Sequence, residues 1–318
     1  MNIFITGGLG ILGNAILQKL SKKENKLIVY DRIKNLTKFN KVKTKQMKFV
    51  AGNLTNNVLI LKTIKKYKIN AIFHLGAQTQ VLNALKNPYE TYLINLQSTI
   101  KLLEIVRKIN QKIIFIYSSS DKAYGEVSKG SYLENHPLNS IYPYDVSKST
   151  SDLIAQSYAK TYGLKVGIIR SANIFGPHDR NLKRIVPETI INLLNKKKII
   201  IRSSGKLKRD YIFVDDVANA YILTYEKLSK IKKNLLIYNV GSKYNLSVLQ
   251  LVKKIANILK VKKDYLTIAN ISKKEIKNQR LNYSKIKKEL NWKPKTDLDA
   301  GLKKTIKWYK KNNEEFKL

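Results

Sequence analysis

The chain has 318 residues, no cysteine, three histidines and a formal net charge of +39. Without cysteine it carries no disulfide, thiolate nucleophile or cysteine-bound zinc, and His74, His136 and His178 are too scattered to suggest a metal site. Lysine pairs such as Lys22/Lys23, Lys65/Lys66 and Lys310/Lys311 recur along the whole length instead of gathering on one face or tail, so the charge reads as compositional bias and no specific nucleic-acid partner is expected.

The first element is an apolar strand over residues 2–6 that runs directly into glycine. Gly7, Gly10 and Gly13 follow at G-x-x-G-x-x-G spacing, with Ile11 and Leu12 inside the turn, and Ala15, Ile16 and Leu20 open a helical period. A strand turning this tightly into a helix presents backbone N–H groups to a pyrophosphate at the helix N-terminus. A second strand over 27–31 ends at Asp31, eighteen residues past Gly13. An acid there can hold the ribose hydroxyls of NAD, although Arg32 beside it is a residue type that accommodates a 2′-phosphate. Because the first strand begins at once, no signal peptide is expected. No apolar run approaches the roughly 20 residues that span a bilayer, and a cytoplasmic protein without a membrane partner is the expectation.

Strand and helix then alternate. Strands are predicted over 48–50, 71–75, 112–118 and 165–170, and helices over 58–67, 89–109 and 144–162. Parallel strands joined by crossover helices make an α/β, Rossmann-type doubly wound sheet. After Arg170 the pattern changes. The run NIFGP (173–177) is a turn signal, and shorter elements follow. Helices are predicted near 186–194, 214–228, 247–259, 284–290 and 298–309, with strands over 199–202 and 237–240. Residues 1–172 are therefore expected to bind NAD, and 173–318 to form mainly a smaller substrate lobe, with segments around 210–245 returning to the first domain.

The chemistry concentrates in SSSDKAYG (118–125) and YPYDVSK (142–148). Ser120, Asp121 and Lys122 place a hydroxyl, an acid and an amine at a strand end, where open α/β sheets put their chemistry. Tyr144 and Lys148 stand one turn apart at a helix start. The same spacing occurs at Tyr30/Lys34 and Tyr283/Lys287, so context alone singles out the pair at 144 and 148. The set suits redox chemistry at a sugar hydroxyl. A tyrosine has an ordinary pKa near ~10, and a cation one turn on favours its phenolate.

These residues resemble the extended short-chain dehydrogenase/reductase superfamily, the NAD-dependent nucleotide-sugar epimerases and dehydratases. The resemblance spans TGGLGILG (6–13), GNL (52–54), HLGAQ (74–78), RSANIFGP (170–177), RIVPETI (184–190), RDYIFVDDV (209–217) and SKIKKELNWKP (284–294). Ser-Asp-Lys at 120–122 is similar to the CDP-glucose 4,6-dehydratase branch. The resemblance implies a bound NAD held by Gly7, Gly10, Ile11, Leu12, Gly13, Asp31, Asn53, Leu54, Ala77, Asn95, Tyr144 and Lys148. It implies a nucleotide-diphosphate sugar held by Asn173, Arg184 and Arg209, with Ser120, Tyr144 and Lys148 in the redox step and Asp121 and Lys122 in an elimination across carbons 5 and 6. A 4-epimerase would need only Ser120, Tyr144, Lys148 and NAD, and a non-catalytic nucleotide-binding protein on this fold is the remaining alternative. Departures from the pattern are Asn53 for the usual Asp, Gly76 for Ala, Ser98 for Gly, and no Arg in the run after Gln78.

The helices over 89–109 and 144–162 carry apolar residues on more than one side. Examples are Leu93, Leu96, Ile100 and Leu103 in the first, and Leu153, Ile154, Ala155 and Tyr158 in the second. In the resembled family these two helices pair with their copies, so a homodimer is expected.

Overall fold

The first strand sets the logic of the sheet. In β1 (Asn2–Thr6) Ile3 and Ile5 point into one apolar layer and Phe4 into the other, as the two-residue period of a strand requires. Both faces are covered, so the strand is buried throughout its apolar run, as parallel strands usually are. Then come α1 (Ile11–Leu20), β2 (Lys26–Asp31), β3 (Met47–Ala51), α2 (Asn57–Lys66) and β4 (Ala71–His74). Next are α3 (Val81–Lys86), α4 (Pro88–Tyr92), a π-helical turn (Leu93–Gln97), α5 (Ser98–Ile109) and β5 (Ile114–Ser120). A 3-10 turn (Asp121–Tyr124), α6 (Pro143–Tyr162) and β6 (Val166–Ser171) complete this half. The computed structural model describes residues 1–32, 46–126, 130–261, 265–271 and 276–316. Lys34, the partner of Tyr30 in one of the repeated Tyr/Lys spacings, lies outside them.

The second half holds β7 (Asn173–Phe175), α7 (Ile185–Leu194), β8 (Ile199–Ile201), β9 (Lys208–Phe213), α8 (Val214–Lys230) and β10 (Leu235–Val240). It ends with β11 (Asn245–Ser247), α9 (Val248–Ile258), β12 (Leu266–Ile268), α10 (Ser284–Leu290) and α11 (Leu298–Lys311). Among the described residues seven strands form one parallel sheet, in the order β10-β6-β5-β4-β1-β2-β3. The order reverses between β1 and β4, the position where doubly wound sheets open a crevice at their strand ends. The strand β10 pairs with β6, while α8 packs on α1. A separate apolar core unites α7, α9 and α11 with β8 and β9.

Three boundaries differ from the sequence reading in ways that matter for the site. The strand predicted over 112–118 occupies Ile114–Ser120, so Ser120 is itself the strand end. The helix predicted over 89–109 is broken by the π-helical turn at Leu93–Gln97. Hydroxyls take up the carbonyls there: Ser98 Oγ donates to Ile94 O, and Thr99 Oγ1 to Asn95 O at 2.7 Å. Finally, β9 was read as a motif and not as a strand. It lies between β7 and β11 in a small three-stranded sheet and carries Arg209 and Asp210, whose charges act on Asp121. No helix among the described residues is long and apolar enough to cross a membrane.

Candidate active site

At the glycine turn Gly7 has φ +65°, and a Cβ there would lie 2.7 Å from the Gly76 backbone. A Cβ on Gly13 would lie 2.4 Å from Gly7 O. These two positions bring α1 against the ends of β1 and β4. Gly10 caps α1 and no side chain bonds the first turn, so its N–H groups, those of Ile11 and Leu12 included, face outward with the positive end of the helix dipole. Asp31 Oδ2 accepts the Leu9 N–H at 3.1 Å, which puts the acid against the same turn. Donors, a cradle that a Cβ would fill and an acid at the next strand end fit a dinucleotide.

Other expected cofactor residues are placed differently. Asn53 Oδ1 accepts the Thr55 N–H at 3.2 Å, so its carbonyl folds back on its own loop. Leu54 is buried and packs near Gly76, and Ala77 follows it on the loop after β4. Asn95 is a brace. It is 2% exposed; its Nδ2 donates to Gln78 O (3.0 Å) and Ser147 Oγ (2.9 Å), and its Oδ1 accepts the Gln78 N–H (2.8 Å). Through these bonds it ties the loop after β4 to α6. His74 shares hydrogen bonds with Thr6 Oγ1 (2.8 Å) and Thr99 Oγ1 (3.1 Å). Burial lowers its pKa to about 3, so it is a neutral latch and no general base.

Where β5 ends, the reactive residues converge. The Tyr144 phenol is buried and within hydrogen-bond reach of the Ser120 hydroxyl. Burial raises its pKa above the ordinary tyrosine value, and the cation that opposes this most is Arg184. Lys148 was expected to be that cation. Instead its Nζ donates to Ser118 O at 2.8 Å, and burial lowers its pKa to about 8 despite the Asp152 carboxylate. Asp121 is 2% exposed, and burial raises its pKa against the opposing pull of Lys122, Ser120 and Arg209. Its Oδ1 accepts from Ser120 Oγ (3.0 Å), and its Oδ2 has no partner. Lys122 does not pair with Asp121: its Nζ donates to Gln279 Oε1 at 3.3 Å.

The lobe residues are nearby. Arg184 caps α7 and donates to Asp179 Oδ2 at 3.3 Å. Asn173 Nδ2 donates to Asp210 O at 3.4 Å. Arg209 is buried, with Nη1 donating to Lys208 O (2.9 Å) and Ile276 O (2.7 Å), so part of its fork is spent on backbone. No His, Asp or Glu cluster among the described residues could hold a metal.

Sequence reasoning missed several residues that organise this site. Asp210, buried beside Arg209, has its pKa raised to about 7 by burial, against bonds from Ser242 and Leu281. Arg170 donates to both Asp152 oxygens, at 2.9 and 3.0 Å, and to Tyr124 Oη at 2.8 Å. Its signal was available: a charged residue ending an apolar parallel strand must be paired. Gln279 had none, because its segment matches no motif.

A family model for GDP-mannose 4,6 dehydratase matches residues 4–305. The chain is 31% identical to the dTDP-D-glucose 4,6-dehydratase of Dictyostelium discoideum, over 98% of this chain and 82% of that protein. It spans about half, 48%, of the length of a trifunctional UDP-glucose 4,6-dehydratase of Arabidopsis thaliana to which it is 29% identical over 98% of its own length. Its fold is similar to the dTDP-glucose 4,6-dehydratase of Bacillus anthracis in complex with NAD, with a TM-score of 0.88, 28% identity and coverage of 99% and 98% of the two chains. It is equally similar to a UDP-glucose 4-epimerase of Thermotoga maritima with UDP-glucose, with a TM-score of 0.89, 27% identity and coverage of 98% and 100%.

Proposed function

The chain belongs to the GDP-mannose 4,6 dehydratase family, within the extended short-chain dehydrogenases/reductases, and from that premise we propose that it is an NAD-dependent nucleotide-sugar 4,6-dehydratase. The observation that carries this reading is the buried acid beside the redox pair. Asp121 is buried, which raises its carboxyl pKa, and it keeps one oxygen unpartnered, next to Ser120 and Tyr144. A 4-epimerase has no use for such a group.

The residues then divide the work. Ser120 bonds the sugar's 4-oxygen and steers it to Tyr144, which takes the hydroxyl proton as carbon 4 becomes a ketone. A bound NAD would supply the acceptor for the hydride of carbon 4 and its donor at carbon 6. The ketone acidifies carbon 5, and Lys122 takes that proton and returns it to carbon 5 once the hydride has reached carbon 6. The C5–H electron pair becomes the C5=C6 double bond, the C6–O bond breaks, and Asp121 gives its proton to the departing hydroxyl, which leaves as water. Arg184 and Arg209 are suited to the diphosphate, since a guanidinium binds two oxygens at once, and Asn173 stands beside them. The glycine turn with Ile11 and Leu12, the acid Asp31 and the loop residues Asn53, Leu54 and Ala77 would hold NAD. Residues 1–172 form the NAD domain in this reading, and 173–318 supply the sugar lobe apart from the returning α8 and β10. A homodimer through α4–α6 and a cytoplasmic setting complete it.

The test is direct. Purified protein is incubated with CDP-, GDP-, dTDP- and UDP-sugars and the products are weighed. Loss of one water supports the dehydratase. An isomer of unchanged mass would replace it with the 4-epimerase, a reading that the similarity to the Thermotoga maritima enzyme keeps specific.

A further inference from the structure

Gln279 belongs to none of the motifs, yet it is fully buried against the reactive turn. Its backbone is held on both sides: its N–H donates to Lys208 O at 3.1 Å, and its carbonyl accepts from Asn245 Nδ2 at 2.7 Å. Neighbouring bonds from Arg209 to Ile276 O (2.7 Å) and from the Leu281 N–H to Asp210 Oδ2 (3.3 Å) stitch the whole segment along β9. From there the side chain reaches Lys122. The ammonium form offers only N–H groups, so the amide oxygen is the atom that faces it. The NH2 of the same planar amide is buried without a partner, as is Asp121 Oδ2. Two buried polar atoms without a partner therefore lie in this cluster, one on Gln279 and one on Asp121. Buried polar groups are nearly always bonded, and the exceptions call for a functional account.

We propose that Gln279 is a positioning residue that holds Lys122 as the base for carbon 5. The proposal rests on the dehydratase reading. Asp121 and Lys122 are chain neighbours of opposite type, and left alone they would form an ion pair in which neither acid nor base is available. Gln279 draws the amine away from the carboxyl. It does so with a neutral acceptor, which bonds the amine whether or not it carries the extra proton. A carboxylate in the same place would hold the ammonium form. The other titratable and charged groups around this pair are Arg209 and Asp210 on β9, Tyr132 and Tyr144; none of them takes the Lys122 amine.

The experiment compares the parent with Gln279→Glu and Gln279→Met on a nucleotide sugar that the parent dehydrates. Three quantities are measured: cofactor reduction in a single turnover, deuterium uptake at carbon 5 from heavy water, and the pH profile of dehydration. Carbon-4 oxidation should stay within about threefold of the parent, and carbon-5 exchange should fall about tenfold or more in both variants, a part of the ~10²–10⁴-fold that a general base contributes. In Gln279→Glu alone, the rising limb of the pH profile should move up by about one pH unit or more, the usual effect of an opposite charge at contact. If Gln279→Glu fails to fold by thermal unfolding, the ratio of carbon-5 exchange to carbon-4 oxidation in Gln279→Met decides. A parental ratio and pH profile in the variants would overturn the proposal, as would equal loss of both steps. A parent that dehydrates none of the four nucleotide sugars would instead overturn the dehydratase reading itself.

Discussion

Lys148 shows how this site sets function against stability. Lys148 is 5% exposed, and burial brings its pKa from 10.5 down to about 8. The shift corresponds to a cost on the order of 3 kcal/mol for holding the charged form, offset by the bond to Ser118 O, about 1 kcal/mol. The sign follows from proton linkage. Between pH 8 and 10.5 the unfolded chain binds a proton that the folded chain has released, so stability rises with pH across that window. Lys148→Met should therefore stabilise the protein by about 2 kcal/mol below pH 8. That gain should fade as the pH approaches 10.5, and denaturant unfolding at several pH values checks it. Tyr144→Phe separates the two steps differently. It removes the base for carbon 4 while the glycine turn and Asp31 remain, so turnover should vanish with NAD affinity largely kept, as calorimetric titration would show. Asp121→Asn keeps shape but loses the titrating proton. Carbon-4 oxidation should persist and elimination should slow by ~10²–10⁴-fold, the usual range for an acid–base group. Parental elimination in that variant would remove Asp121 from the mechanism.

At the scale of elements, the glycine turn makes two unlike predictions from two glycines in one motif. A methyl on Gly13 meets Gly7 O at 2.4 Å and the Gly8 backbone at 2.6 Å, whereas on Gly10 the nearest atom is Gly7 O at 3.3 Å. Gly13→Ala should push α1 off the sheet, lowering both thermal stability and NAD affinity. Gly10→Ala should leave stability near the parent and weaken only NAD binding, since that residue caps the helix end offered to the pyrophosphate. Melting curves with and without NAD distinguish the two. The turn was legible because its cause is local: a strand, three spaced glycines and a helical period lie within twenty residues. The parallel strands were legible for the same reason, their apolar runs being long enough to read. The break in the helix at Leu93–Gln97 was not. It is tied to the bonds of Asn95 with Gln78, 17 residues away, and Ser147, 52 residues away, partners that periodicity cannot see. Likewise β7 and β11 have three residues each, and pairing with β9 defines them. Ser120, Asp121, Lys122, Tyr144 and Lys148 could be named from spacing, but the turn of Lys122 toward Gln279 spans 157 residues and needed the fold.

The whole molecule poses a problem of charge. Each copy carries a formal +39, and like charges of that size repel over a Debye length, about 8 Å at 0.15 M salt and about 30 Å at 0.01 M. A homodimer must overcome this with short-range apolar contact. Part of the apolar surface expected for that purpose is used inside the protomer: Leu103 and Ala155 are buried, and Leu93, Leu96, Ile100, Ile154 and Tyr158 are half-buried. What stays open is Leu153 on α6 at 52% exposure, with Leu82 at 49% and Leu85 at 37% on α3 and Tyr89 at 76% on α4. Both of those helices pack on α6. The pair α5 and α6 is also cross-braced, with Tyr158 Oη donating to Glu104 at 2.7 Å and Arg107 lying 5.1 Å over the Tyr162 ring. A dimer held by an apolar face on a strongly cationic body would strengthen with salt, the reverse of an interface built on opposite charges. Light scattering at micromolar concentration should give a dimer mass at about 0.15 M salt and a shift toward monomer at about 0.01 M. Leu153→Lys should give monomer at both. A monomer mass for the parent at both salts would show that α6 keeps this face to itself, and dimer mass that rises as salt is lowered would mean that ion pairs, not Leu153 and its neighbours, hold the copies together.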